Sequence, residues 1–395
     1  MKPTLFKLQL ALAIAVIAGF ALAAQKTSLK SVLSPLRLFK TPLSESIDSQ
    51  TLKRRLASKD FTLINVHTPY EGEIENTDIA LSFDQLDKNS SFLPTDKAQP
   101  LVLYCKTGRM SGQALKTLNG LGYTNVVHLE GGMDAWKKAG NQVIDLSNLE
   151  SLVLPPDGVD LPLSWGDLGP KLISLGVIDP VKFRKALSLT RQQEEILTRG
   201  SKSNIRIDQK NSQFIVDMLW ALGLAQKSLV YDEGPMGNQY KKEVGNFSST
   251  GGWTLSKTTA LDYYNRFELI PLTPDEQKKV AEIAENIYRP CCGNSTYFPD
   301  CNHGMAALAI VELLVKNGES DETIYRKVLA FNSFWFPQSY LSTATYFARA
   351  GTPWDKVDAK TVLGPDFSSS QGSNNIVSKV GPLPFQTAFG GSCGA

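Results

Sequence analysis

The stretch LVLYCKTGRMSGQAL, residues 101–115, sets four apolar residues against a polar loop, with one cysteine at the junction. Leu101 to Tyr104 reads as a buried strand, ended abruptly by Cys105 and a loop holding Lys106, Gly108 and Arg109. From there Met110, Ala114, Leu115, Leu118 and Leu121 recur with helical spacing, and Gly122 suits a C-terminal cap. Two further β-rich runs flank this unit, FTLINV (61–66) and NVVHL (125–129). Strands separated by helices imply a parallel sheet covered on both faces, here over residues 47–145.

A thiol at the C-terminal end of such a strand stands where open α/β sheets place ligands. The backbone from Lys106 to Ser111 is able to curl so that N–H groups point at the sulfur, with a helix starting near Ser111. A thiolate is favoured in that cradle, and Gly108 gives the loop its freedom. Lys106 and Arg109 add positive potential for an anionic substrate. A Walker loop would need a Gly-Lys-Ser/Thr ending, which is absent.

Residues CKTGRMSGQALKTLNGLGYTNVVHLEGGMDAWKKAG, preceded by FTLINVHTPYEGEI, resemble the active loop and C-terminal half of single-domain rhodaneses. The cysteine-led loop combined with LEGGMDAW carries most of the likeness, which covers about a quarter of the chain. The resemblance implies a rhodanese-like α/β fold and sulfane sulfur transfer through a persulfide on Cys105. Lys106, Thr107, Gly108, Arg109, Met110 and Ser111 would then form the anion cradle, with Arg109 on the donor's oxyanion. An anionic donor such as thiosulfate and a thiol acceptor, small molecule or protein, or cyanide are the implied partners. The transfer itself calls for no metal or other cofactor. One departure is Asn65-Val66-His67, where the family often has Asp-Val-Arg, so the usual structural ion pair is in doubt. His67 and His128 read as structural, since neither has a cysteine beside it to make a ligand set.

The ends bear on compartment. Lys2 and Lys7 precede an apolar run from Leu8 to Ala24 with an Ala21-x-Ala23 site, the layout of a secretory signal peptide over residues 1–24. The rival reading is an uncleaved N-terminal anchor. The chain is therefore expected to be exported, to a bacterial periplasm or another extracytoplasmic face, touching membrane only through that segment if it is kept. Without Lys2 and Lys7 the charges balance, so no basic stripe invites nucleic acid. About 370 remaining residues suggest two domains.

Residues 25–46 read as a linker, and a Pro-, Gly- and Asp-rich stretch at 146–176 reads as another. A mainly α-helical domain is expected at 177–367. Asp179-Pro180 and the Thr273–Glu276 capping box mark helix starts there, and SQFIVDMLWALGLA (212–225) is apolar nearly all round. The aromatic run FNSFWFPQSY (331–340) reads as core. Residues 368–395 lack a helical period and read as an extended tail.

Of five cysteines, Cys105 lies far from Cys291, Cys292, Cys301 and Cys393. The four sit in a loop expected between two helices, with Asp300 as cap of the second, and in a Gly-rich end. Three readings fit them: two disulfides, as exported cysteines in even number tend to form; a zinc or copper(I) site of Cys291, Cys292, Cys301 and His303; or a thiol relay using Cys393. Two functional classes follow. One is an extracytoplasmic sulfurtransferase; the other is a non-enzymatic metal-binding or scaffold protein whose rhodanese module docks partners.

Overall fold

The structure, a computed structural model, describes residues 45–385; the segment 1–24, almost all of 25–46 and Cys393 lie outside the described residues. Six strands are central to the α/β part: β1 (Ser46–Ile47), β2 (Thr62–Asn65), β3 (Glu73–Ile74), β4 (Ile79–Ala80), β5 (Leu101–Tyr104) and β6 (Val126–Leu129). Five of them form one parallel sheet in the order β1-β6-β5-β2-β4. β5 is central, pairing Thr62 to Asn65 on one side and Val126 to His128 on the other.

The alternation of β5 explains why its run is apolar throughout. Leu101, Leu103 and Cys105 face the helix Arg109–Gly120 through Ala114, Leu115 and Leu118. Val102 and Tyr104 face the other way, onto Leu52, Met133 and Trp136 of the helices Ser49–Leu56 and Gly132–Lys138. A strand buried on both faces has no polar side to display. The expected parallel sheet with helices on both faces is what the chain forms, and the rest is mostly helical.

Past this sheet, the helix Ser212–Ala225 is buried almost all round and packs on Asn302–Lys316. A Cβ on Gly223 would collide with the Met305 carbonyl, so glycine permits the close approach. Thr273 and Asp179 cap their helices as the sequence indicates, and Phe331, Phe334, Phe336 and Tyr340 are core. Among the described residues no helix is long and apolar enough to cross a membrane.

Two expected irregular segments are ordered instead. Residues 146–176 hold helices Leu149–Val153 and Leu168–Leu175 and a strand, Val159–Gly166, paired antiparallel with Ser201–Ile207. Leu154, Leu161, Trp165 and Leu172 enter the helical core, which outweighs the turn-forming prolines and glycines between them. The stretch from residue 368, expected to be extended, carries a helix, Ser370–Val380, capped by the Ser369 hydroxyl. Its buried residues, Gly372, Ser373, Ile376 and Val380, keep a helical spacing in mostly small side chains.

All of this belongs to one compact unit. The α/β and helical parts are tied by Arg349, whose Nε and Nη2 donate to the two oxygens of Glu73 at 2.8 and 3.0 Å, both side chains buried.

Glu312, inside the helix Asn302–Lys316, is fully buried, with the Ser228 side chain against its carboxyl. Burial pushes its carboxyl up to about 8 from an ordinary 4.5. The native state thus keeps a proton that the unfolded chain releases as pH rises past 4.5, so this group erodes stability between there and about 8. Glu312→Gln should match wild type at pH 4 and exceed it by roughly 3–5 kcal/mol at pH 8. Urea midpoints of both proteins at the two pH values check this; a constant difference would contradict it.

Candidate functional site

Cys105 leaves the C-terminal end of β5, and three residues later Gly108 takes a φ of 88°, turning the chain into the helix Arg109–Gly120. That left-handed turn aims two backbone donors at the sulfur. Gly108 N–H lies 3.1 Å from Cys105 Sγ and Ser111 N–H 3.4 Å from it. The thiol in turn donates to the Ser111 hydroxyl at 3.6 Å, and that hydroxyl donates to the Gly108 carbonyl. Cys105 is buried beneath the loop. Donors fixed around one sulfur are placed to hold negative charge carried on a second sulfur bonded to it.

The loop is held from behind by the Gly-Gly pair of LEGGMDAW. The helix Gly132–Lys138 begins with N–H groups that lack intrahelical partners, and the loop supplies acceptors. Met133 N–H donates to the Cys105 carbonyl at 2.8 Å and Asp134 N–H to the Lys106 carbonyl at 2.9 Å. A Cβ on Gly132 would collide with both carbonyls, and its φ of 57° is itself left-handed. Residues far along the chain thereby set the shape of the cradle.

The two cations differ. Lys106 Nζ binds Glu71 at 2.6 Å, and that hydrogen bond holds the Glu71 carboxyl below its usual range. Arg109 is exposed in the first turn of its helix and joins no ion pair among the described residues. Its charge is available to an anion above the loop. Thr107 is exposed, and Met110 packs against the apolar cluster that includes Cys105. Asn65 replaces an ion pair with neutral bonds: its Nδ2 donates to the Gly72 carbonyl and its Oδ1 accepts from His67 N–H.

His128 has a place that its sequence context does not signal. Its Nδ1 lies 3.2 Å from the Ser111 hydroxyl, one step from the thiol, and burial favours the neutral ring. The clue available was strand adjacency, because His128 pairs with Leu103 across the sheet.

The second cluster is brought together in part. Cys291, Cys292 and Cys301 place their sulfurs within 4.8 Å of one another, and the four described cysteines are free. Cys301, and not Asp300, caps the helix Asn302–Lys316, accepting Gly304 N–H at 3.3 Å. Hydrogen bonds from the Cys291 and Cys292 thiols, with Arg289 beside them, hold the Cys301 thiol well below its ordinary value. His303 does not join this group. Two residues on, it is rotated about 200° round the helix axis, and its ring packs against Trp335 and Phe336 at 5.6 and 4.5 Å. Burial there lowers it to about 4, leaving a neutral ring among aromatics. Arg289, which the sequence reading passed over, is fully buried with its Nε 3.1 Å from Cys301 Sγ. The signal was its position directly before Pro290-Cys291-Cys292.

Comparison with known proteins concerns the α/β part. Residues 48–139 match the family model for the rhodanese-like domain. An uncharacterized protein of Synechocystis is 33% identical over 108 residues, which are 27% of this chain and 60% of that one. A sulfurtransferase of Allochromatium vinosum is 34% identical over 102 residues, 25% of this chain and 92% of that one. The thiosulfate:glutathione sulfurtransferase of Saccharomyces cerevisiae is 28% identical across 21% of this chain and 58% of its own. Among solved structures, a rhodanese-like domain protein from Staphylococcus aureus is 30% identical, covering 25% of this chain and 98% of that one with a TM-score of 0.22. The chain thus spans under two thirds of the Synechocystis protein and nearly all of the Allochromatium one.

Proposed function

The chain belongs to the rhodanese-like family through residues 48–139, and we propose that it is a sulfurtransferase that carries sulfane sulfur as a persulfide on Cys105. The observation that supports this most is the Cys105 sulfur under the Gly108 and Ser111 N–H groups at the end of the central strand.

In the first half-reaction the Cys105 thiolate attacks the outer sulfur of an anionic donor such as thiosulfate. A new S–S bond forms at Cys105, the donor's own S–S bond breaks, and sulfite departs with its electron pair. The loop donors then hold the persulfide's negative charge. In the second half-reaction an acceptor thiolate, or cyanide, attacks the outer sulfur and Cys105 leaves as the thiolate. Arg109 holds the donor's oxyanion in this reading. The yeast relative's name pairs thiosulfate with glutathione, and that pair is the first to try here. The apolar segment ending at Ala21-x-Ala23 supports an extracytoplasmic setting, which fractionation of the producing cell would check.

The direct test is intact-mass measurement after thiosulfate treatment and removal of excess donor. A gain of one sulfur atom, mapped by peptide to Cys105 and discharged by cyanide, is expected; an unchanged mass would overturn the reading. Arg109→Ala should raise the KM for thiosulfate by about tenfold while kcat moves little, since the exposed cation serves binding of the donor. Steady-state kinetics at fixed ionic strength measure this. A fall in kcat alone would place Arg109 in the chemical step instead.

A further inference from the structure

The loop from Arg289 to Cys301 carries a site that sulfur transfer at Cys105 does not use. Cys301 Sγ lies 3.4 Å from Cys291 Sγ and 3.8 Å from Cys292 Sγ, and Cys291 and Cys292 are 4.0 Å apart. These edges form a nearly regular triangle. A metal–sulfur bond of about 2.3 Å sets ligand sulfurs about 4.0 Å apart in a trigonal plane and about 3.8 Å apart round a tetrahedral ion. A disulfide would need one edge to contract to about 2.05 Å and would strand the third thiol.

The triangle is fixed in advance by Arg289. Besides Cys301 Sγ, this guanidinium binds the Asn294 carbonyl at 2.8 Å, the Phe298 carbonyl at 3.2 Å and Asp300 Oδ1 at 2.6 Å. Asn294 Nδ2 closes the ring on the other Asp300 oxygen at 2.8 Å. Any Cβ at position 304 would strike the guanidinium, so Gly304 leaves room for it. A wholly buried cation beside three sulfurs offsets the negative charge they would carry together as thiolates. Cys291 is exposed and Cys292 and Cys301 are half-buried, which leaves an entry path.

We propose that Cys291, Cys292 and Cys301 form a three-coordinate site for copper(I). Thiolates select soft ions, copper(I) and zinc foremost. Structural zinc is almost always bound by four protein ligands, and among the described residues no fourth His, Cys, Asp or Glu joins these three. The His303 ring, the nearest candidate in sequence, is committed to Trp335 and Phe336. Binding exchanges thiol protons for the ion: each thiol still protonated releases H⁺ to solvent as its sulfur bonds copper(I), and no electron is transferred.

The test uses the full, reduced chain under anaerobic conditions, with copper(I) delivered from a coloured bicinchoninate complex. One copper(I) per chain should be withdrawn, with a thiolate-to-copper charge-transfer band in the ultraviolet. Cys291→Ser, at an exposed position, should weaken retention by more than the roughly 10–100-fold typical of an outer-shell change. Cys301→Ala should do the same, whereas Cys105→Ala should retain copper as wild type does, keeping the outcome separate from that of sulfur transfer. Failure to withdraw copper, or equal retention by Cys291→Ser, would overturn the proposal. So would preferential binding of zinc that requires Cys393, because the site would then have four ligands.

Discussion

Cys105→Ala is expected to reduce thiosulfate turnover to the uncatalysed background, a loss of at least about 10³-fold, because in the proposed cycle the transferred sulfur rides on this thiol. Cys105→Ser should lose as much. A serine would accept the same Gly108 and Ser111 N–H groups, so the cradle stays satisfied, yet its hydroxyl is a poor nucleophile toward sulfane sulfur. Neither change threatens the fold enough to mimic this result. The thiol is a small side chain at the edge of the sheet's core, and its removal should cost on the order of 1 kcal/mol. Thermal melts beside kinetics separate the two effects. A Cys105→Ala protein that still transfers sulfur at a substantial fraction of the wild-type rate would move the chemistry to another thiol, with the Cys291–Cys292–Cys301 group the first to examine.

What could be read from the sequence follows from how local each signal is. β5, the Cys105 loop and its helix are contiguous, and a strand buried on both faces leaves an unbroken apolar run that nothing else competes with. The cradle was legible for the same reason, since Gly108 and Ser111 lie within six residues of the sulfur they serve. The clamp on its back was legible only as a pattern; that Met133 and Asp134 donate to loop carbonyls needs the folded arrangement of β5 and β6. The helix Ser370–Val380 escaped because glycine and serine carry half of its buried face, and hydropathy does not register them. Cys291, Cys292 and Cys301 announced a cluster, but a helix rotates by about 100° per residue, so His303 could not follow Cys301 toward the same point. The partner they do have, Arg289, reads in sequence as one more surface cation. Its place directly before Pro290-Cys291-Cys292 is the one hint, and its complete burial reveals the role.

The union of the two parts was beyond reach of any local pattern, and it sets the second large effect. Glu73 and Arg349 are 276 residues apart in sequence and form a bidentate pair with both side chains out of water. Arg349 Nη1 also donates to the Asp78 and Val380 carbonyls, at 2.8 and 3.1 Å, so one guanidinium joins β3, the start of β4 and the end of the helix Ser370–Val380. Arg349→Met would leave the Glu73 carboxylate and two carbonyls unpaired in the interior. Removal of one partner from a buried pair costs about 3–5 kcal/mol, most of it the uncompensated charge. Glu73→Leu alone should destabilise by a similar amount, through the stranded guanidinium. Combining the two should restore much of the loss, because a buried pair replaced by apolar groups forfeits its attraction and its desolvation cost together. Equilibrium urea unfolding of the four proteins gives the coupling directly. Strict additivity would mean that the pair is not the joint between the sheet and the helices. The pair is also linked to the strand that carries the site: the Ile74 N–H beside Glu73 donates to the hydroxyl of Tyr104, the residue before Cys105. Loosening this joint should therefore lower sulfur transfer on heating at the temperature where the protein melts, with little change below it; a loss of rate well below melting would show that the helical part holds the active loop in shape as well as in place.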